Sequence, residues 1–175
     1  KQINRFIEII DDSFNKMNKD EITILDFGCG KSYLTFIVYY YFVVIKKIKA
    51  KIIGYDLKAD VVEHCNEIAK KYGYDDLEFV VSDVTRDVLY GEKIDMIISL
   101  HACDIATDIV LQTATALSAR AILSTPCCHR YMNGKLKAPE LSFVTKYAHL
   151  QNKLCEAFTD AIRAARLESF GYSVT

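Results

Sequence analysis

The feature that most constrains this chain is an apolar run that ends on a glycine turn and resumes as a helix. Residues 22–27 read ITILDF, short and rich in β-branched side chains, so the spacing predicts a strand. Asp26-Phe27-Gly28-Cys29-Gly30-Lys31-Ser32 follows, and residues 32–47 then read as a helix. Glycines at such a junction let the chain turn sharply and let a ligand approach the backbone.

The same alternation continues. Residues 2–17 place Ile3, Phe6, Ile7, Ile10 and Phe14 at helical spacing. Residues 51–56 make a second strand ending on Asp56. Residues 60–72 bring Val61, Val62, Cys65, Ile68, Ala69 and Tyr72 onto one helical face, stopped by Gly73. Residues 77–81, 94–100 and 121–125 give three more strands, with a helix over 104–117 between the last two. Phe143, Tyr147, Leu150, Leu154, Phe158, Ile162 and Ala165 form one long helical stripe. Continuous apolar strands separated by helices belong to a parallel sheet covered on both faces, here a doubly wound α/β domain. The crossover over 84–93 is too short to assign. The reading is one domain over 1–175: an N-terminal helix over 1–18, a core over 22–125, and a loop and long helix over 126–175. One or two closing strands are expected after residue 175.

Other classes fall away. Residues 36–45 read FIVYYYFVVI, but about thirteen uncharged residues are bracketed by lysines, short of the ~18–20 a membrane span needs. Six cysteines in 175 residues, with adjacent Cys127 and Cys128 and no secretory leader read at the start, suggest reduced thiols in a cytoplasmic protein rather than a disulfide framework. The formal net charge is −1, so no global basic field points to nucleic acid. Residues 126–175 do carry seven Lys/Arg against four Asp/Glu, and residues 1–125 fifteen against nineteen. The plain explanation of that bias is a solvated helix face.

Three ligands could use the glycine turn. A phosphate loop needs its first glycine where Leu25 stands, inside the strand. A dinucleotide fingerprint matches Gly28 and Gly30 but meets Tyr33 at its third position, too bulky for close helix–strand packing. An S-adenosylmethionine (SAM) site wants an acid before the glycines, because SAM carries an ammonium and a sulfonium and no pyrophosphate; Asp26 supplies it. Asp56 ends the second strand, placed for ribose hydroxyls, and Asp83 follows the third, placed for the adenine amino group. Each taken singly also reads as a turn or cap residue.

A second cluster stands after the fourth and fifth strands: Leu100-His101-Ala102-Cys103-Asp104 and Pro126-Cys127-Cys128-His129-Arg130. Adjacent strands would bring both segments to one face. Three readings stay open. His101 or His129 could take a proton from an acceptor while Asp104 orients it. Cys103, Cys127, Cys128 and His129 could hold zinc, although the spacing is not that of a zinc finger. Or Asp104 caps the next helix and the cysteines fill space. A cysteine nucleophile is a fourth, weaker option, since nothing in the sequence lowers a thiol pKa.

DFGCGKSYLTF at 26–36, GYDLKADVVEHC at 54–65, LHACDIATD at 100–108 and PCCH at 126–129 together resemble a bacterial family of uncharacterised class I SAM-dependent methyltransferase domains, over nearly the whole chain. The last two runs are also similar to eukaryotic tRNA ribose methyltransferases. The resemblance implies a Rossmann-like sheet with SAM as donor and S-adenosylhomocysteine as product. By position it implies Asp26, Gly28 and Gly30 at the methionine end, Asp56 at the ribose and Asp83 at the adenine, with Ser32, Leu57 and Val84 also binding the cofactor and Leu100 and His101 beside the methyl. Ser32 stands where many such enzymes keep a third glycine. No Asn/Asp-Pro-Pro-Tyr run follows the fourth strand, which argues against amino-methylation of a base or of glutamine. The expected acceptor is RNA, through this likeness and the basic bias of Arg130, Lys135, Lys137 and Lys146. A catalytically silent SAM-binding module and a nicotinamide-dependent oxidoreductase are the rival functions; no membrane and no disulfide-linked partner is expected.

Overall fold

The computed structural model describes residues 2–82, 93–100, 102–126 and 129–175. The expectations for Asp83, Val84, His101, Cys127 and Cys128, and for the crossover over 84–93, lie outside or largely outside these residues. The elements run α1 Gln2–Met17, β1 Glu21–Phe27, α2 Tyr33–Tyr39, β2 Lys49–Asp56, α3 Ala59–Lys71, β3 Leu77–Val81, β4 Met96–Ser99, α4 Ile105–Ala116, β5 Ala121–Ser124, α5 Arg130–Asn133, α6 Ser142–Thr145 and α7 Ala148–Ser169. α2 continues into a π-helical stretch, Tyr40–Ile45, closed by a bond from Lys46 N–H to the Tyr41 carbonyl.

The five strands form one parallel sheet in the order β3-β2-β1-β4-β5. This is the doubly wound, Rossmann-like arrangement. Strand order reverses between β1 and β4, and in such sheets the crevice at the carboxyl ends of those two strands is where ligands bind. Alternate residues of each strand feed two cores. Ile24, Ile52, Met96 and Ile98 pack with Phe6, Ile10 and Phe14 of α1, Val38 of α2 and Val62 of α3. Leu25, Phe27, Ile53, Tyr55 and Ile97 pack with Val110 and Ala114 of α4. Helices therefore cover both faces, which is why the strands read as unbroken apolar runs. Among the described residues no helix is long and apolar enough to cross a membrane.

The far rim, at the amino ends of the strands, is fastened by charge. Asp95 is 1% exposed; Lys19 Nζ lies 2.6 Å from each of its oxygens, and Thr23 N–H donates to it at 3.1 Å. Lys19→Met would leave that carboxylate with the Thr23 bond and, among the described residues, no counter-charge. The Lys19 side chain is 22% exposed, so the cost is below that of a fully buried pair. A loss of about 2 kcal/mol is expected in urea denaturation.

Two helices depart from the sequence reading. The stripe over 143–165 is not one helix: Phe143 belongs to α6, and the chain breaks at Tyr147, whose backbone is extended (φ −103°, ψ 109°). Periodicity runs through that break because residues four apart still share a side. The stripe is also largely solvent-facing, with Phe143, Tyr147, Leu150, Phe158 and Ile162 exposed; the buried α7 side chains are Cys155 and Arg163.

Candidate functional site

At the carboxyl end of β1 the turn is built from three left-handed residues, Gly28 (φ 70°), Gly30 (φ 54°) and Ser32 (φ 58°). Glycine adopts that conformation freely, whereas a side chain is strained there. Ser32 tolerates it through a local net: its N–H donates to the Cys29 carbonyl (2.8 Å), and its hydroxyl donates to the Gly30 carbonyl (3.1 Å) and lies 3.5 Å from Cys65 Sγ. The turn is anchored to β2. Gly28 and Cys29 N–H groups both donate to the Tyr55 carbonyl at 2.9 and 3.1 Å. Gly30 N–H donates to Asp56 Oδ2 at 2.9 Å, and Lys58 N–H to Asp56 Oδ1 at 3.0 Å. Each carboxylate oxygen keeps a second acceptor position.

Asp26 pairs in register with Gly54 on one side and Ile98 on the other, and is 3% exposed. Burial pushes its carboxyl up to about 7; a 2.6 Å bond from the Thr35 hydroxyl opposes the shift, and the nearby Asp56 charge adds to it. Thr35 was missed in the sequence reading. Its signal was a lone threonine within the otherwise apolar and aromatic stretch over 34–45. Asp26, Gly28, Ser32 and Leu100 line a cleft of about 290 Å³, with Lys31 and Tyr33 at the same opening. Leu57 is exposed just past Asp56. Burial raises the Cys29 thiol to about 12, so it is no nucleophile at neutral pH.

The segments after β4 and β5 lie side by side. Thr125 N–H donates to the Ser99 carbonyl and its hydroxyl to the Leu100 carbonyl. A Cβ placed on Gly28 would stand 4.0 Å from Ala102 N, so the first segment also borders the glycine turn. Asp104 holds the N-cap position of α4 without a side-chain cap bond. Its carboxylate instead accepts Tyr131 N–H at 3.1 and 3.3 Å. His129, its side chain 8% exposed, places Nε2 2.9 Å from Asp160 Oδ1 of α7. Asp108, Asp160 and Arg163, which meet here, were missed because the contacts that join them to the strand-end segments are long-range: Arg163 lies 55 residues from Asp108, and Asp160 lies 31 from His129. Among the described residues no group of three or more His, Cys, Asp or Glu side chains is placed to hold a metal ion; Cys103 is half-buried.

Residues 1–135 match the family model described as a methyltransferase domain. The chain belongs to this methyltransferase-domain family. Comparison with the curated proteins gives no match. Among solved structures, the methyltransferase-family chain is similar to coclaurine N-methyltransferase bound to N-methylheliamine and SAH (TM-score 0.50, 16% identity, 69% of this chain and 34% of that one). It is also similar to the bifunctional kinase-methyltransferase WbdD (0.49, 19%, 69% and 28%) and the YcgJ protein of Bacillus subtilis (0.47, 15%, 65% and 44%). The chain thus spans about a third of the length of coclaurine N-methyltransferase, and at this identity the likeness is one of fold.

Proposed function

We propose that this domain transfers the methyl group of SAM to a nucleophile on RNA. The observation that carries the reading is the pair of carboxylates, Asp26 and Asp56, on either side of a left-handed glycine turn that opens into a cleft. Asp26 beside the turn suits a cationic ligand without phosphates, since its carboxylate would repel a pyrophosphate; an acid at the Asp56 position serves a ribose in dinucleotide sites as well. SAM supplies an electrophilic methyl on a sulfonium leaving group.

The residues then divide the work. Asp26 faces the ammonium, while Gly28, Gly30 and Ser32 accommodate the methionine end. Asp56, already oriented by Gly30 N–H and Lys58 N–H, accepts from the ribose hydroxyls. Leu57, Asp83 and Val84 complete the proposed cofactor-binding set, with Asp83 assigned to the adenine. Leu100 and His101 border the methyl. The acceptor oxygen or nitrogen forms a bond to the methyl carbon as the carbon–sulfur bond breaks. His101 or His129 takes the acceptor's proton where it has one, and Asp104 orients the acceptor. Asp56→Ala removes both the ribose acceptor and the anchor of Gly30, so calorimetry is expected to show SAM affinity falling at least tenfold.

The RNA assignment draws support from the surface of α5 to α7. Exposed Tyr131 carries Lys135 Nζ 3.7 Å above its ring, exposed Tyr147 carries Lys146 Nζ at 4.9 Å, and exposed Phe143 stands nearby in sequence. Aromatic faces beside lysines suit unstacked bases and phosphates. One observation favours a second reading, a SAM-binding module without catalysis: Asp104 and His129 both have partners within the chain.

Transfer of labelled methyl from SAM to fractionated tRNA, rRNA, protein and small molecules separates these. Label in an RNA fraction, lost in His101→Ala, is the expected result. Label only in protein or small molecules overturns the acceptor. SAM binding with no transfer to any fraction selects the module, and tighter binding of NADH than of SAM ends the methyltransferase reading.

A further inference from the structure

One buried cation lies outside everything the transfer reading has used so far. Arg163, 7% exposed, sits in α7, beyond the residues matched by the family. Its Nε and Nη2 form a fork on Asp108, 2.8 Å to Oδ1 and 3.1 Å to Oδ2. Nη2 also donates to the Asp104 carbonyl at 2.9 Å. Nη1 reaches Asp160 Oδ1 at 3.3 Å, the oxygen that His129 Nε2 also meets. A planar guanidinium forked onto a carboxylate fixes direction as well as distance, and an ammonium cannot replace it at both partners.

What the fork holds is strained. Asp104 has φ 55° and ψ −120°, a combination that residues with a side chain rarely adopt and that persists only when neighbours impose it. Its carbonyl accepts Thr107 N–H (3.1 Å) as well as Arg163, and its carboxylate accepts Tyr131 N–H. The same segment carries Leu100, in the wall of the cleft, and Ala102, beside the glycine turn. Through Asp104 and Asp160, Arg163 is therefore joined to both strand-end segments at the acceptor side. The glycine turn has separate anchors, on Tyr55 and Asp56.

We infer that Arg163 is a positioning residue of the methyl-transfer site, holding residues 102–104 and 129–131 in one fixed arrangement from α7. The inference rests on the proposed transfer reaction for its function, but not for its geometry. Removing the fork lets Asp104 relax and both segments shift together, while the cofactor half keeps its shape.

The test compares wild type, Arg163→Met, Arg163→Lys and Asp108→Asn in the full chain. In Arg163→Met, hydrogen exchange read by mass spectrometry should quicken at least tenfold at residues 104–108 and 129–133 and stay unchanged at 28–35. SAM affinity by calorimetry should stay within twofold, while kcat for labelled methyl transfer to the RNA fraction falls at least tenfold. Arg163→Lys should fold normally yet lose transfer nearly as far, and Asp108→Asn should follow it. Unchanged exchange at 104–108 overturns the clamp. So does a loss of SAM affinity as large as the loss of transfer, which would mark general destabilisation. Full activity in Arg163→Lys overturns the fork. If wild type labels no RNA, the acceptor assignment fails on its own, and the exchange pattern still decides whether Arg163 holds the two segments.

Discussion

Asp26→Asn is expected to make the protein more stable and less able to bind SAM. The folded carboxyl sits at about 7 instead of 3.8, chiefly through burial. A raised acid pKa means that the fold binds the proton more tightly than the unfolded chain does. Stability therefore falls as pH rises from about 4 to about 7, and the loss is complete above that. Three pKa units correspond to about 4 kcal/mol at pH 8. The Thr35 hydroxyl bond is stronger to a carboxylate than to an amide, so a net gain of about 2 kcal/mol is a sounder expectation. In thermal denaturation without ligand, the variant should melt several degrees above wild type at pH 8. At pH 5 the advantage should shrink by more than half, because folded wild type is then protonated. Calorimetry should show SAM binding weakened at least tenfold at pH 8. Wild-type affinity should climb with pH up to about 7 and then level, and the variant should lack that dependence. A variant no more stable than wild type at pH 8 contradicts the burial argument.

Gly54→Ala is expected to cost about 3 kcal/mol, the upper end of the usual overpacking range. Gly54 lies in β2 between Asp26 of β1 and Phe79 of β3. A Cβ there would stand 2.5 Å from Phe79 Cδ1, 2.7 Å from Cε1 and 3.1 Å from Cys29 Sγ. Phe79 cannot swing away cheaply, since its ring is buried and packs on Phe36 with centroids 5.3 Å apart. Relief would have to come partly from Cys29, inside the glycine turn, so SAM affinity should fall along with the urea midpoint. A midpoint within 0.2 M of wild type would show that the ring has room to move.

These two residues also show how far the sequence could be read. Asp26 was legible because a strand that ends on a glycine turn announces its own last residues, and the acid stands among them. Asp56 stood out by another cue, as the acid that closes the short apolar strand over 51–56. Gly54 was not singled out: its need for a bare Cα comes from Phe79, a neighbour that only strand pairing brings near. Unbroken apolar runs gave the parallel sheet, since burial on both faces removes alternation. Side-chain period did not reveal the break at Tyr147 or the π-helical turn over Tyr40–Ile45, both matters of backbone dihedrals that leave the apolar spacing almost intact. Arg163 and Asp108 were hidden for a third reason: their meeting depends on how α7 returns against α4, and an arginine in a helix otherwise reads as a surface charge.

The ion pair of Lys19 with Asp95 gives the sheet two rims with different duties. Strands that all point one way gather their carboxyl ends, and with them Asp26, Asp56 and Leu100, at a single mouth. The opposite rim holds the Lys19–Asp95 pair, which ties the segment before β1 to the segment before β4. Substitution at the amino-end rim is thus expected to change how long the molecule survives heating, while substitution at the mouth reaches the proposed cofactor cleft. A lineage could retune one without disturbing the other.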